Sequence, residues 1–346
     1  MRIAAFFIVL LKLLASLLML LGVVWACGAL WFQLAQSVKS GSARGLLLGV
    51  WVGVGLYCVY LLWQQRAPRG LLIYGLLFAA ILAWWASIQP SNTRRWAPDV
   101  AQQLSGTVQG DLVSLHNVRN FDWQTADKAS ARWEDRDYDL RQLVSVDMAT
   151  SYWMGPAIAH TLVSFGFDDG KGPRRYVTFS VEIRKEQGEQ FSAVGGFFKQ
   201  FELSLVAAEE RDILRVRSNM RGEEVYLYSV AMPRAAMRSL FIAYVDKANA
   251  LVETPQFYHT LFANCTTIVF DMVRRIVPGL PMDWRLLASG YLPQYVDSLG
   301  ALAQPNDFDA IQAAAHINAR AKALRPDADF SAAIRQGVPQ APLPPP

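Results

Sequence analysis

FYHTLFANCTTIVFDMVRRIV, residues 257–277, decides how the second half of this chain is read. A short polar step, Asn264-Cys265-Thr266-Thr267, opens a strongly apolar run that stops at Pro278-Gly279. Asparagine ahead of such a run is a helix N-cap, and Pro-Gly ends the helix. The stretch predicts a helix over 265–277 with Cys265 at its N-terminus, where backbone N–H groups and the helix dipole favour a thiolate. Cys265 is the only cysteine outside the apolar N-terminal part, so it reads as a nucleophile and not as half of a disulfide. A small buried hydrophobe is the competing reading.

Upstream of this helix the pattern is one of strands. Residues 112–116, 141–148, 157–167, 175–185, 213–218 and 223–231 read as strands. The alternation is clearest in 175–185, where Val177, Phe179, Val181 and Ile183 face one way and Thr178, Ser180 and Glu182 the other. After Pro233 the period becomes helical over 235–252, and 256–262 suggests one more short helix. Strands followed by helices make an α+β domain, expected over residues 111–305 after a polar linker at 91–110. An alanine-rich helix at 309–324 falls in a C-terminal segment, 306–330. The proline-rich end, 331–346, is expected to be disordered.

Residues 1–90 are of another kind. Three apolar runs, 3–34, 46–63 and 71–88, are each long enough for a transmembrane helix, which needs roughly 20 apolar residues. The first continues past the length of a signal peptide's apolar region, and no small-residue cleavage site interrupts it. Cys27 and Cys58 lie inside these runs and behave as small hydrophobes. Positions 1–98 hold eight Lys/Arg and no acid, which leaves 25 basic and 29 acidic residues beyond, a net of −4. The overall charge of +4 is thus a membrane-flank signal and gives no reason to expect a nucleic-acid partner. Four basic residues fall on each side of the spans, so charge does not set the orientation. Three spans place the chain's two ends on opposite sides.

A cysteine nucleophile needs a base, and four histidines are available. His160 lies in a predicted strand among apolar neighbours, His259 six residues before Cys265, His116 after an early strand, and His316 in the alanine-rich helix. His160 is the best placed, as a rigidly held imidazole. A satisfied core histidine is its bland alternative. If its strand pairs with 175–185, Glu182 is the charged group that would orient the ring, with Ser180 and Thr178 as neutral ones. No His/Cys/Asp/Glu cluster has ligand spacing, and phosphate-loop and dinucleotide patterns are absent, so no metal and no cofactor is expected.

A series of motifs carries a resemblance: Asn117-Val-Arg-Asn-Phe-Asp122, Ser151-Tyr-Trp153, Ala157-Ile-Ala-His160-Thr161, Ser164-Phe-Gly-Phe167, Glu182-Ile-Arg-Lys-Glu186, Glu210-Arg-Asp212, Val225-Tyr-Leu-Tyr228 and Asn264-Cys265-Thr-Thr267. Over about residues 115–300 the chain resembles the Lnb N-terminal periplasmic domain family, also called DUF4105. The resemblance implies a papain-like domain of the permuted NlpC/P60 type behind three transmembrane helices, with a strand histidine preceding the helix cysteine. It makes Cys265 the nucleophile and His160 the base, in a periplasmic domain held at the bacterial inner membrane. Its substrates would be membrane lipids or a lipoprotein N-terminus, because members move an acyl chain on a lipoprotein's terminal diacylglyceryl-cysteine. Backbone N–H groups of Cys265 and Thr266 are the expected oxyanion donors, and Asn264 the cap. An NlpC/P60-like cell-wall peptidase and a non-catalytic envelope module are the alternatives.

Overall fold

The computed structural model describes residues 2–35, 37–64, 66–303, 307–325 and 328–342. Three helices lead: α1 (Arg2–Gln33), α2 (Gly41–Trp63) and α3 (Ala67–Ser87). At 32, 23 and 21 residues each is long and apolar enough to cross a membrane, in line with the three runs in the sequence. Small residues let them pack: a side chain at Gly70 would come within 2.7 Å of the Cys58 carbonyl oxygen, so the backbones of α2 and α3 meet there only because Gly70 has none. The chain divides into two units, and Ser192–Gln200 groups with Met1–Ser91 in the first. Within that unit the Gln33 side chain donates to the Phe198 and Lys199 carbonyls at 2.7 and 2.8 Å, and Phe198 stacks on Phe32.

The second unit, Asn92–Phe191 with Phe201–Pro346, is a mixed α/β domain. Its strands are β1 (Ser105–Gln109), β2 (Leu112–Arg119), β3 (Asp122–Trp123), β4 (Ala129–Ser130), β5 (Trp133–Asp139), β6 (Leu143–Tyr152), β7 (Ala159–Phe167), β8 (Arg175–Arg184), β9 (Glu202–Ala208) and β10 (Glu224–Val230). Its helices are α4 (Glu210–Arg215), α5 (Arg234–Glu253), α6 (Thr267–Ile276), α7 (Leu292–Ser298), α8 (Phe308–Ala315), α9 (Asn318–Lys322) and α10 (Phe330–Ile334). The main sheet runs β1-β2-β9-β8-β7-β6-β10, with β5 also on β2, while β3 and β4 form a small ribbon. Pairing is antiparallel except for a single parallel bridge between β2 and β9.

The alternation in β8 sets its two faces as the sequence predicts. Val177, Phe179 and Val181 pack into the larger core with Phe165 and Phe167 of β7 and with α5. Phe241 of α5 sits 5.1 Å from Phe165 and 5.2 Å from Phe179, edge to face. The opposite face buries Thr178 and Ser180 instead.

Several expectations are corrected. Residues 213–218 are not a strand: α4 continues as a π-helix over Val216–Arg221, and with Asp212, Ile213, Leu214, Val216, Arg217 and Ser218 all buried the segment is covered on nearly every side, which hides a helical period. Residues 256–262 do not form a helix; Phe257 bridges to Glu202 and the Tyr258 N–H donates to the Phe201 carbonyl at 3.0 Å, extending the sheet. The stretch 91–110 is not a loose linker, since Ala97 N–H bonds Lys185, Val100 and Leu104 are buried, and β1 joins the sheet. The single helix expected over 309–324 breaks at His316–Ile317, where Ile317 N–H bonds the Val225 carbonyl and the Asn318 side chain accepts from Val225 N–H, covering the exposed edge of β10. The disordered tail expected from residue 331 is ordered through α10 and beyond, with Ile334 and Val338 buried; residues 343–346 lie outside the described residues.

Candidate active site

Asn264 organises the start of α6. Its side-chain oxygen accepts from the N–H groups of Thr266 and Thr267 at 2.8 and 2.9 Å, while Thr267 Oγ1 accepts from Asn264 N–H at 3.1 Å. This reciprocal cap fixes Cys265 in the turn just ahead of the helix, and Arg274 and Arg275 balance the dipole at the far end. The Thr266 N–H is therefore taken by Asn264, which corrects its expected role as an oxyanion donor. The Cys265 N–H has no acceptor among the described residues and is the donor left for that task.

His160 stands near the start of β7, opposite Ser151 of β6. The strand is clamped there: the Ser289 hydroxyl accepts from Ala159 N–H at 3.0 Å and donates to the Ala159 carbonyl at 2.7 Å, and Gly290 N–H bonds the Ala157 carbonyl. Residue 290 must be glycine, because a Cβ would lie 2.0 Å from the Pro156 carbonyl oxygen.

His160 Nε2 lies 2.7 Å from Ser180 Oγ and 3.2 Å from Glu182 Oε1, so two of the three polar-face residues of β8 named from the sequence meet the imidazole, while Thr178 donates to Ser164 Oγ instead. Ser180 Oγ donates to Glu182 Oε1 at 2.8 Å, and Arg217 Nη2 donates to the same oxygen at 2.8 Å. Arg217 is buried and reaches Glu182 because the π-helix turns it inward. It was not legible in the sequence, where the 213–218 stretch reads as a strand. Glu223 is the other acid near Arg217, at 3.9 Å, and it accepts from Ser151 Oγ.

The electrostatics follow from burial set against these charges. Burial alone would push the Glu182 carboxyl up; the charges of His160 and Arg217 and the bonds from His160 and Ser180 outweigh it and hold it well below the usual carboxylate range. Burial would lower the His160 pKa, but Glu182 first and Cys265 second raise it to about 9. Burial would raise the Cys265 thiol, yet the His160 charge, with hydrogen bonding from His160, the Thr161 backbone and Thr266, brings it below its ordinary value of 9.0. The thiol is 8% exposed and its Sγ lies 4.0 Å from Thr266 Oγ1. Both shifts favour a thiolate beside an imidazolium. Tyr258, which the sequence did not single out, is held close enough to feel the Cys265 and Glu182 charges, and with burial as the larger cause its phenol stays protonated.

The other three histidines lie elsewhere. His116 pairs with Asp135 in the open, His259 stacks on Phe262 and accepts from Leu261 N–H, and His316 pairs with Glu224 and stacks on Tyr226. Among the described residues no group of three His, Cys, Asp or Glu is placed to hold a metal. The motif residues Arg119, Phe121 and Asp212 form a network of their own, in which Asp212 accepts from Arg119 Nε and Nη2, Phe121 N–H and Trp123 Nε1 at 2.7–3.0 Å.

No curated protein and no solved structure matches the chain. Residues 129–290 match the family model described as Lnb N-terminal periplasmic domain, so the Asn117–Asp122 motif lies ahead of the matched part. With the three apolar helices, the match describes a membrane-anchored envelope protein with a periplasmic domain. The segment matched by this family model carries His160, Ser180, Glu182, Arg217 and Cys265.

Proposed function

We propose that this chain is a membrane-anchored cysteine acyltransferase or lipid-ester hydrolase that works through a thioester on Cys265. The observation that carries the reading is the buried array Cys265, His160, Glu182 and Arg217, in which each group drives the charge state the next one needs. The Cys265 thiolate attacks an ester carbonyl, forming a C–S bond, and the oxyanion is met by the Cys265 N–H. Collapse breaks the C–O bond, and the departing alcohol takes the proton from the His160 imidazolium. An amine or water then attacks the thioester, His160 accepts its proton, and the thiolate leaves with the acyl group transferred.

Glu182, with Ser180, holds the ring and its charge, and Arg217 keeps Glu182 ionised. The order of strand histidine before helix cysteine fits the permuted papain-like arrangement. A multi-pass anchor in the inner membrane, with this domain on the periplasmic side, brings lipid or lipoprotein acyl chains to the site at high effective concentration. Large apolar side chains stand exposed on the segments that lead into it: Trp153 and Met154 before His160, Phe262 three residues before Cys265, and Trp284 in the stretch clamped to β7. They suit a membrane surface better than a peptide.

An activated ester such as p-nitrophenyl octanoate is expected to leave an acyl adduct on Cys265, detected by mass spectrometry of the full chain in detergent and absent from Cys265→Ala. The same adduct level in Cys265→Ala would end this reading. Turnover of muropeptides without acylation by esters would favour the cell-wall peptidase.

A further inference from the structure

A cavity of about 280 Å³ lies between the sheet and the helices α6 and α7. Its near end is Thr161 and Thr266, which flank the dyad: the Thr161 backbone hydrogen-bonds the thiolate, and Thr266 follows Cys265 in the chain. From there it runs between β7 and α6, walled by Val163, Val269 and Val273, toward Leu292 of α7. The Thr161 hydroxyl is buried with no hydrogen-bond partner among the described residues, and the walls beyond it are almost wholly apolar. An apolar space whose polar end lies at the residues next to Cys265 and His160 suits an unbranched chain that ends in a carbonyl. At about 30 Å³ per water-sized group, the volume takes roughly nine or ten methylene-sized groups.

We infer that this cavity is the acyl-chain site of the reaction. It rests on Cys265 being the nucleophile: the acyl group bound to sulfur carries its carbonyl at Thr161 and Thr266 and its hydrocarbon tail between β7 and α6. A headgroup would stay outside. The space at Val269 and Val273 sets which chain lengths are accepted.

The test uses the full chain in detergent with p-nitrophenyl acetate, butyrate, octanoate, decanoate and palmitate, following p-nitrophenolate release and the adduct on Cys265. In the unaltered protein the second-order rate of acylation is expected to rise at least tenfold from acetate to decanoate. Val269→Phe and Val273→Phe, which fill the space along α6, are expected to keep the acetate rate within threefold and to lose at least tenfold with decanoate. Retained acetate chemistry shows that the fold and the dyad survive. A flat chain-length profile in the unaltered protein, or an unchanged profile in both variants, overturns the cavity assignment and leaves Cys265 as nucleophile. Absence of any Cys265 adduct with every ester overturns both.

Discussion

Replacing Glu182 with glutamine keeps the shape of the side chain and removes the charge that His160 and Arg217 share. His160 rises from 6.5 to about 9 in the folded protein, an increase worth about 3 kcal/mol of preference for the imidazolium. Glu182, 3.2 Å from Nε2, is the larger of the two charges responsible. Without it His160 returns toward its ordinary value, the thiolate loses its counter-charge, and the Cys265 pKa climbs back, because burial is then opposed chiefly by the hydrogen bonds from the Thr161 backbone and Thr266. Each unit of thiol pKa removes about tenfold of thiolate at neutral pH, so iodoacetamide alkylation of Cys265 at pH 7 is expected to fall in Glu182→Gln. The midpoint of the alkylation–pH profile moves up with it. Stability gives a second reading with a defined sign. A histidine whose folded pKa is raised contributes stability that is fully present below 6.5 and is lost as pH rises through about 9, so the unaltered protein should lose stability across that window and Glu182→Gln should not. An alkylation profile that is the same in both proteins would refute the linkage from Glu182 through His160 to Cys265.

Asn264→Ala removes the oxygen that accepts from two N–H groups and should cost about 1 kcal/mol of stability by urea titration, with the larger effect on positioning of Cys265. Asn264→Asp should restore the cap. Arg335→Met leaves Asp147 and Glu210 buried without their shared cation and should cost about 3–5 kcal/mol at neutral pH. Burial then raises both carboxyls with only serine hydroxyls against it, so the penalty should shrink as pH falls and they take up protons; a disordered tail would make the variant silent at every pH.

Where the inward face of an element is apolar, the sequence pattern alone places it. The β8 alternation, the 235–252 helix and the three N-terminal runs are such cases, and so is the helix that starts beside Cys265. The readings that went astray share a different cause. Residues 202–208 form β9, which is absent from the strands read in the sequence: Glu202-Leu203-Ser204-Leu205 alternates for four residues only, and the period is lost at Val206-Ala207-Ala208, where both faces are covered. The tail reads as disordered because proline and alanine dominate it, and among the residues that pin it Arg335 is charged while Ile334 and Val338 are too few to make a pattern. His160 and Glu182 were nameable because each sits on a strand with a clear face, whereas Arg217 sits where the pattern misleads.

That segment, residues 210–221, explains more than its length suggests. Glu210 accepts from Ser164 of β7 and from Arg335; Asp212 holds Arg119 of β2 with Phe121 and Trp123; Arg217 holds Glu182 of β8. Three separate buried ion-pair networks thus radiate from about three turns of helix, which bury charged side chains beside Ile213, Leu214 and Val216 where a core helix is normally apolar. Such pairs add little net stability over a hydrophobic replacement, but breaking one leaves a buried charge uncompensated at several kcal/mol. They therefore act as geometric constraints more than as glue: β2, β7, β8 and the C-terminal tail each have one position that satisfies a fixed partner on this helix. The dyad inherits that constraint through Arg217, because the oxygen of Glu182 that orients His160 is the same one Arg217 holds. Cys265 would be an inert core thiol at 8% exposure were it not for this chain of fixed charges, which reaches it from a helix nearly fifty residues upstream and across the sheet.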